Sequence, residues 1–408
     1  MQSRMKRPAA ALAWAGAVAL TFMGRPAAGL DQEHRSLAEQ TIQRGVEFLR
    51  QRQNDDGSWM PQPGPAVTGM VVGVLLDRPE VDENDPAVAA GLAYLLNRAQ
   101  PDGSIRDGAD GILANYNTAI ALSALSKVHG NPEAAGALAK AQDYLRGLQW
   151  TAGDTTPDGE TIDADHPFFG GVGYGNHGRP DLSNLQFMLQ GLRDSGVSSS
   201  DPAFQNALVF ISRCQGIDAN DFFPDGVLPD DGSFIYATSI SKDLVGVPES
   251  KANPTEMDEA KAGRAVSGLR GYGSMTYAGF KSLLYADLDR SDPRVAAAVD
   301  WLSRHYTLEQ NPGLPESMKL QGLYYYYMAQ SRALAAWGST TLTVSETADD
   351  ETAPPADREV DWANALIDKL ASLQREDGSF VNEADRWMEG DPDLVTAYAL
   401  IALQEATR

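Results

Sequence analysis

Gln374-Arg375-Glu376-Asp377-Gly378-Ser379-Phe380 lies between two apolar helical runs near the end of the chain, and its copies decide the fold. Gln53-Asn54-Asp55-Asp56-Gly57-Ser58-Trp59 repeats it near the front, and Gln100-Pro101-Asp102-Gly103-Ser104-Ile105 is a shortened third copy. A fourth is split, with Gln215 after one apolar run and Asp230-Asp231-Gly232-Ser233-Phe234 arriving after an insertion. Asp and Ser bond nearby backbone and Gly accepts positive φ, so each copy predicts a tight turn whose aromatic folds back to pack. A punctuation mark that recurs implies a unit that recurs.

Working outward, each mark separates two helical patterns. Apolar residues at helical spacing run from Leu37 to Gln53 and again from Val67 to Leu76, which makes one helical hairpin. Residues 86–99 and 117–125 repeat the order, as do residues 132–150 with 182–192, and 202–214 with 274–284. Residues 293–306 pair with 319–337, and 360–373 with 394–405, for six units. First helices carry Arg, Gln, Glu and Asp on one face. Second helices such as Thr396-Ala397-Tyr398-Ala399-Leu400-Ile401-Ala402-Leu403 are apolar nearly all round, as buried helices are. That asymmetry predicts closure into a ring, with buried helices inside and amphipathic ones outside. Residues 339–359, with Thr341-Leu342-Thr343-Val344 and an acidic run over 345–359, predict a short hairpin or a flexible excursion.

Composition narrows the function classes. The chain has 408 residues, is 43% hydrophobic and carries a formal charge of -23, which suits a large core and repels phosphate backbones and anionic lipid. Nucleic acid is not an expected partner. One cysteine, Cys214, and five scattered histidines give no metal-ligand spacing, so neither a metal nor another cofactor is expected. Arg4, Lys6 and Arg7 precede an apolar run from Ala9 to Met23 and the small residues Ala27-Ala28-Gly29. This pattern predicts a signal peptide over residues 1–29, export to a periplasmic or extracellular location, and a single domain over 30–408 without a membrane span.

The Gln-x-x-Asp-Gly-Ser-Trp/Phe marks resemble the QW repeats of squalene-hopene and related triterpene cyclases, and the helix pairs resemble the prenyltransferase and squalene oxidase repeat. The resemblance spans nearly all of residues 30–408. It implies an all-α (α/α)6 toroid, of the kind shared by terpenoid cyclases and protein prenyltransferases, with a central cavity for an isoprenoid chain at the N-terminal ends of the inner helices. It also implies an acid motif, Asp-x-Asp-Asp-Thr-Ala, that this chain lacks. Asp391-Pro392-Asp393-Leu394-Val395-Thr396-Ala397 is the nearest approach, with Asp391 placed as a helix cap. Asp349-Asp350-Glu351 reads as solvated, and Cys214 as a packing residue.

The remaining candidates sit just before or within the inner helices, where closure would bring them to one mouth. Asp181 and Asp393 are the candidate acids, and His177 is the third candidate for catalysis. Asn115, Tyr116, Tyr174, Arg179 and Asn184 are candidate ligand-binding groups from the second and third units. Arg270, Tyr272, Tyr277, Tyr324 and Trp387 are those from the fourth to sixth, because aromatic faces stabilise a cation or stack on a sugar. Three functions follow. The chain binds or converts a hydrophobic, isoprenoid ligand; or it is a polysaccharide lyase or hydrolase acting on a glycan; or it is a non-catalytic binding or scaffold protein.

Overall fold

The computed structural model describes residues 30–108, 111–175, 177–346 and 356–408. The predicted signal peptide and Asp349-Asp350-Glu351 lie outside these residues. In chain order the units are α1 (Gln32–Arg52) with α2 (Ala66–Leu76), α3 (Pro86–Leu96) with α4 (Ala114–Leu125), and α5 (Pro132–Leu148) with α6 (Leu182–Asp194). The fourth pairs α7 (Pro202–Arg213) with α9 (Gly273–Tyr285) across a loop holding the short α8 (Pro254–Lys261). The fifth pairs α10 (Pro293–Arg304) with α11 (Leu323–Trp337), and the sixth α12 (Trp362–Leu373) with α13 (Pro392–Ala406).

The second helices close a ring: α2 packs on α4, α4 on α6, α6 on α9, α9 on α11, α11 on α13, and α13 back on α2. The first helices surround them. Burial follows the predicted asymmetry, since α6 buries every residue from Leu182 to Leu192 whereas α5 buries only Ala134, Ala141, Leu145 and Leu148. Outer helices start where a capping side chain meets proline. Asp85, Asn131, Asp201 and Asp292 accept the first free N–H groups of α3, α5, α7 and α10, and the following Pro has no N–H to leave unpaired.

The marks join one unit to the next. Gln53 Nε2 donates to the carbonyl of Gly57 (3.0 Å) and to that of Ala87 (2.9 Å) on the neighbouring outer helix. Gln215 reaches Gly232 and Arg294 in the same way, and Gln374 reaches Gly378 and Thr41, which closes the circle onto α1. Gln149 is a further member that spacing concealed, because its partner turn at Gly170 comes about twenty residues later; it bonds the carbonyls of Gly170 and Ala203. Gln100 departs from the pattern and bonds the carbonyls of Arg98 and Arg106. In the four Asp-Gly-Ser turns the aspartate accepts from its Ser, as Asp56 does from the Ser58 N–H and Oγ. The N–H groups of Trp59, Ile105, Phe234 and Phe380 then bond Thr68, Thr118, Thr276 and Thr396, one hydroxyl on each corresponding inner helix.

Among the described residues no such mark links the fifth unit to the sixth. There β1 (Thr341–Glu346) pairs antiparallel with β2 (Ala356–Asp361), from Thr341 opposite Asp361 to Glu346 opposite Ala356. Leu342, Val344 and Val360 form a small apolar cluster with Tyr306 and Ala365, so the hairpin fills the gap between α10 and α12. Val360, expected to open the last outer helix, belongs to the strand instead, and the helix starts at Trp362 with Asp361 as its cap. Among the described residues no helix is long and apolar enough to cross a membrane.

The mark glycines give a stability prediction. Gly378 has φ +88°, and a methyl group there would lie 2.4 Å from the Arg44 carbonyl oxygen. Gly226 has a comparable φ of +78° with nothing near it. Urea unfolding should show Gly378→Ala losing about 3 kcal/mol, against about 1 kcal/mol for Gly226→Ala, since both pay the backbone cost and only the first pays the overlap.

Candidate functional site

A cavity of about 380 Å³ opens where the N-terminal ends of the inner helices meet. Residues of the first two turns form its walls, among them Val67 and Met70 of α2, Ile120 of α4, Met275 of α9 and Leu394 of α13. Six tyrosines join them: Tyr116, Tyr174, Tyr236, Tyr272, Tyr325 and Tyr398. Met60, Leu113, Trp387 and Met388 complete the mouth, and all four hold left-handed backbone angles, with φ of 40°, 60°, 60° and 67°. Non-glycine residues seldom adopt that conformation, which costs of order 1–3 kcal/mol each and concentrates at functional sites. His177 and Asp287 are the other two such residues among those described, and neither lines the cavity.

Exposure marks the same place. Among the described residues the large hydrophobic side chains left exposed are Ile112, Tyr174, Leu320, Trp387 and Met388. Three line the cavity, while Ile112 and Leu320 stand one and two residues from the lining residues Leu113 and Gly322. An apolar rim is thus gathered around one opening on a protein of charge -23.

The candidates divide between lining and scaffold. Tyr116, Tyr174, Arg179, Tyr272 and Trp387 line the cavity. Asp181 does not: it caps α6, accepting from the Asn184 N–H (2.8 Å) and Nδ2 (2.9 Å), fully buried, and burial raises its carboxyl above the usual range. Asn115 Nδ2 donates to the Asn184 carbonyl and side-chain oxygen, so these three residues form a buried brace behind the wall. Asp393 is paired with Arg52 at 2.9 Å and also lies outside the lining. His177 packs edge-on against Trp150, 4.7 Å between ring centres, away from the opening. Arg270 donates to the Ala252 carbonyl and Tyr277 accepts from Gln330 Nε2, both away from the cavity. Of the run Tyr324-Tyr325-Tyr326-Tyr327, helical phase turns Tyr325 inward, whereas Tyr324 packs on Phe380 and Tyr327.

Ser183, Tyr236, Lys251 and Glu389 are polar groups on the wall that are not among the candidates named from the sequence. Tyr236 and Lys251 come from the long loop of the fourth unit, where no period marks them. Lys251 and Arg179 both pair with Glu249, the latter at 3.0 Å, and Lys251 Nζ sits 4.4 Å over the Tyr236 ring. Ser183 follows the Asp181 cap directly. Glu389 lines the cavity from the loop before α13 and is almost fully buried. Its carboxylate accepts from the N–H groups of Tyr324 (3.3 Å) and Tyr325 (2.8 Å) and from Asn382 Nδ2 (2.6 Å). Burial nonetheless pushes it up to about 7, against the pull of those donors. Among the described residues no group of acidic, histidine or cysteine side chains could hold a metal ion.

No model of a known protein family matches the chain, and no curated protein matches it. Solved structures do. Type II terpene cyclase MstE from Scytonema superposes with a TM-score of 0.50 at 16% identity, covering 91% of this chain and 98% of the cyclase. The fold is a terpene-cyclase-like helical toroid. A variant of the same cyclase in complex with geranylgeranyl dihydroxybenzoate gives 0.50 at 14% identity, over 92% and 98% of the two chains. A D-mannose isomerase gives 0.52 at 14% identity, over 91% and 97%. This toroid is therefore similar in architecture to enzymes of quite different chemistry.

Glu389 predicts a pH dependence. Its folded value lies above the ordinary 4.5, so the contribution it makes to stability is present below about 4.5 and is lost as pH rises through 7. At about 1.4 kcal/mol per pH unit the loss between pH 5 and 8 is about 2–3 kcal/mol. Denaturation of the wild type and of Glu389→Gln across that range should differ in slope by this amount, the variant being flatter.

Proposed function

We propose that the protein binds a hydrophobic, isoprenoid-type molecule in the central cavity and, from the character of its first 29 residues, does so outside the cytoplasm. The observation that carries this reading is the mouth. Exposed apolar side chains surround one opening, and it leads into a mostly apolar cavity whose size is that of small-molecule sites, roughly 300–1,000 Å³. The likeness of the turn marks to those of squalene-hopene cyclases supports the isoprenoid class.

Binding is better supported than cyclisation. Alkene protonation needs a carboxyl group kept protonated and free to donate, but Asp181 is bonded to Asn184 and Asp393 to Arg52. Glu389 is the acid that faces the ligand, and its oxygens are held by three N–H donors that favour the ionised form. A glycan-cleaving site draws less support, since among the described residues no histidine lines the cavity and its two cations are already paired with Glu249.

Mature protein extracted with organic solvent and analysed by mass spectrometry should yield an isoprenoid lipid. Ala66→Trp, which places a large ring in the cavity from the first residue of α2, should abolish that yield while leaving the helical circular dichroism unchanged. An empty extract from the wild type, together with cleavage of uronic-acid polymers, would refute the proposal.

A further inference from the structure

Three hydroxyl groups on the cavity wall are bonded in a row. Tyr116 Oη and Ser183 Oγ are 2.7 Å apart, and Ser183 Oγ and Tyr325 Oη are 3.0 Å apart. All three residues line the cavity. Three hydroxyls bring three hydrogens, and two links between them use two. Whichever way the row is polarised, one O–H hydrogen is left over.

That hydrogen could be absorbed by the next group along, Gln186, if its amide turned its oxygen toward Tyr325. The protein prevents this from behind. Asp194 accepts from Gln190 Nε2 at 2.8 Å and Tyr285 donates its O–H to Gln190 Oε1 at 3.0 Å, so Gln190 presents its oxygen inward. Lys281, buried on α9, places Nζ 2.8 Å from that oxygen and 2.6 Å from Gln186 Oε1. In this arrangement Lys281 Nζ donates to both amide oxygens. The nitrogen of Gln186 is therefore the end that faces Tyr325 Oη, at 3.1 Å, and it can only donate. A chain running from Asp194 on the far side of the ring thus keeps the row from losing its spare hydrogen into the wall.

We infer that the cavity presents one uncommitted hydroxyl donor at Tyr116, Ser183 or Tyr325, and that the ligand carries an oxygen acceptor there: an oxygenated isoprenoid, such as a ketone or ether, rather than a hydrocarbon. The inference rests on the hydrophobic-ligand reading and narrows it. Lys281 and Gln186 act as positioning residues, since neither is among the groups lining the cavity. An apolar ligand would leave the donor buried and unpaired, which is the larger part of the discrimination.

The test is displacement of N-phenyl-1-naphthylamine by geranylacetone, an isoprenoid ketone, and by the hydrocarbon in which its carbonyl is a methylene. Wild type should favour the ketone roughly three- to tenfold, the range of one neutral hydrogen bond. Gln186→Glu gives Tyr325 an acceptor in the wall while still pairing with Lys281, and should bring the ratio close to one. Ser183→Ala breaks the row and frees a second hydrogen, so the ratio should hold or rise. A purely structural role for the chain would change affinity for both probes alike. Equal displacement by the two probes in wild type, an unchanged ratio in Gln186→Glu, or a lowered one in Ser183→Ala overturns the inference while the hydrophobic-ligand reading stands. Displacement by neither probe takes both down together.

Discussion

The ring closes because a glycine in each of five turns lets one unit's backbone lie directly on the next unit's outer helix. An added methyl group at Gly57, Gly103, Gly170, Gly232 or Gly378 would stand between 2.0 and 2.4 Å from a main-chain carbonyl oxygen, of Ala90, Lys140, Asn206, Ala297 and Arg44 respectively. All five hold φ between +79° and +93°, which only glycine adopts without strain. The contact is of backbone with backbone, so no rotamer change can relieve an intruding side chain. In four of the turns a glutamine amide then spans the seam, tying its own turn to a carbonyl of the neighbour. The distance between units is thereby set by van der Waals contact and the direction by hydrogen bonds. Five such seams, with the β-hairpin between α10 and α12 as the sixth, return the chain to α1.

This is why so much of the fold is legible in the amino-acid sequence. A device built from Gly and Gln at short spacing leaves a readable trace, and inner and outer helices separate by hydrophobic pattern. The trace fails where the same contact is made at long spacing. Gln149 and Gly170 form as good a mark as Gln374 and Gly378, yet a loop of about twenty residues stands between them. It fails again between α10 and α12, where apolar packing of Leu342, Val344 and Val360 replaces the mark.

The site was legible in position but not in detail. Closure alone requires that residues preceding the inner helices converge, and Tyr116, Tyr174, Arg179, Tyr272 and Trp387 do so. Which acids face the cavity depends on local bonding that no pattern reports. Asp181 and Asp393 have the composition of catalytic groups and the geometry of scaffold, one capping α6 and one paired with Arg52. Glu389 looks unremarkable between Met388 and Gly390, and owes its place to two successive left-handed residues that turn the chain into the mouth. Tyr325 is separated from Tyr324 by about 100° of helical rotation, enough to move a ring from wall to core.

Strain and exposure at the mouth then acquire a common cause. A ring held at a fixed spacing by rigid backbone contacts leaves a central gap of fixed width, and the inner helices start on its rim. The residues leading into them must turn sharply inward to close over it, which is what the left-handed angles at Met60, Leu113, Trp387 and Met388 accomplish. Their side chains are large and apolar, and those of Trp387 and Met388 remain exposed. Had the cavity only to be sealed, glycine at these turns would cost less backbone strain, and polar side chains would cost less exposed apolar surface. Keeping both costs at one opening makes sense when something hydrophobic covers that surface, which is what the ligand proposed for the cavity would do.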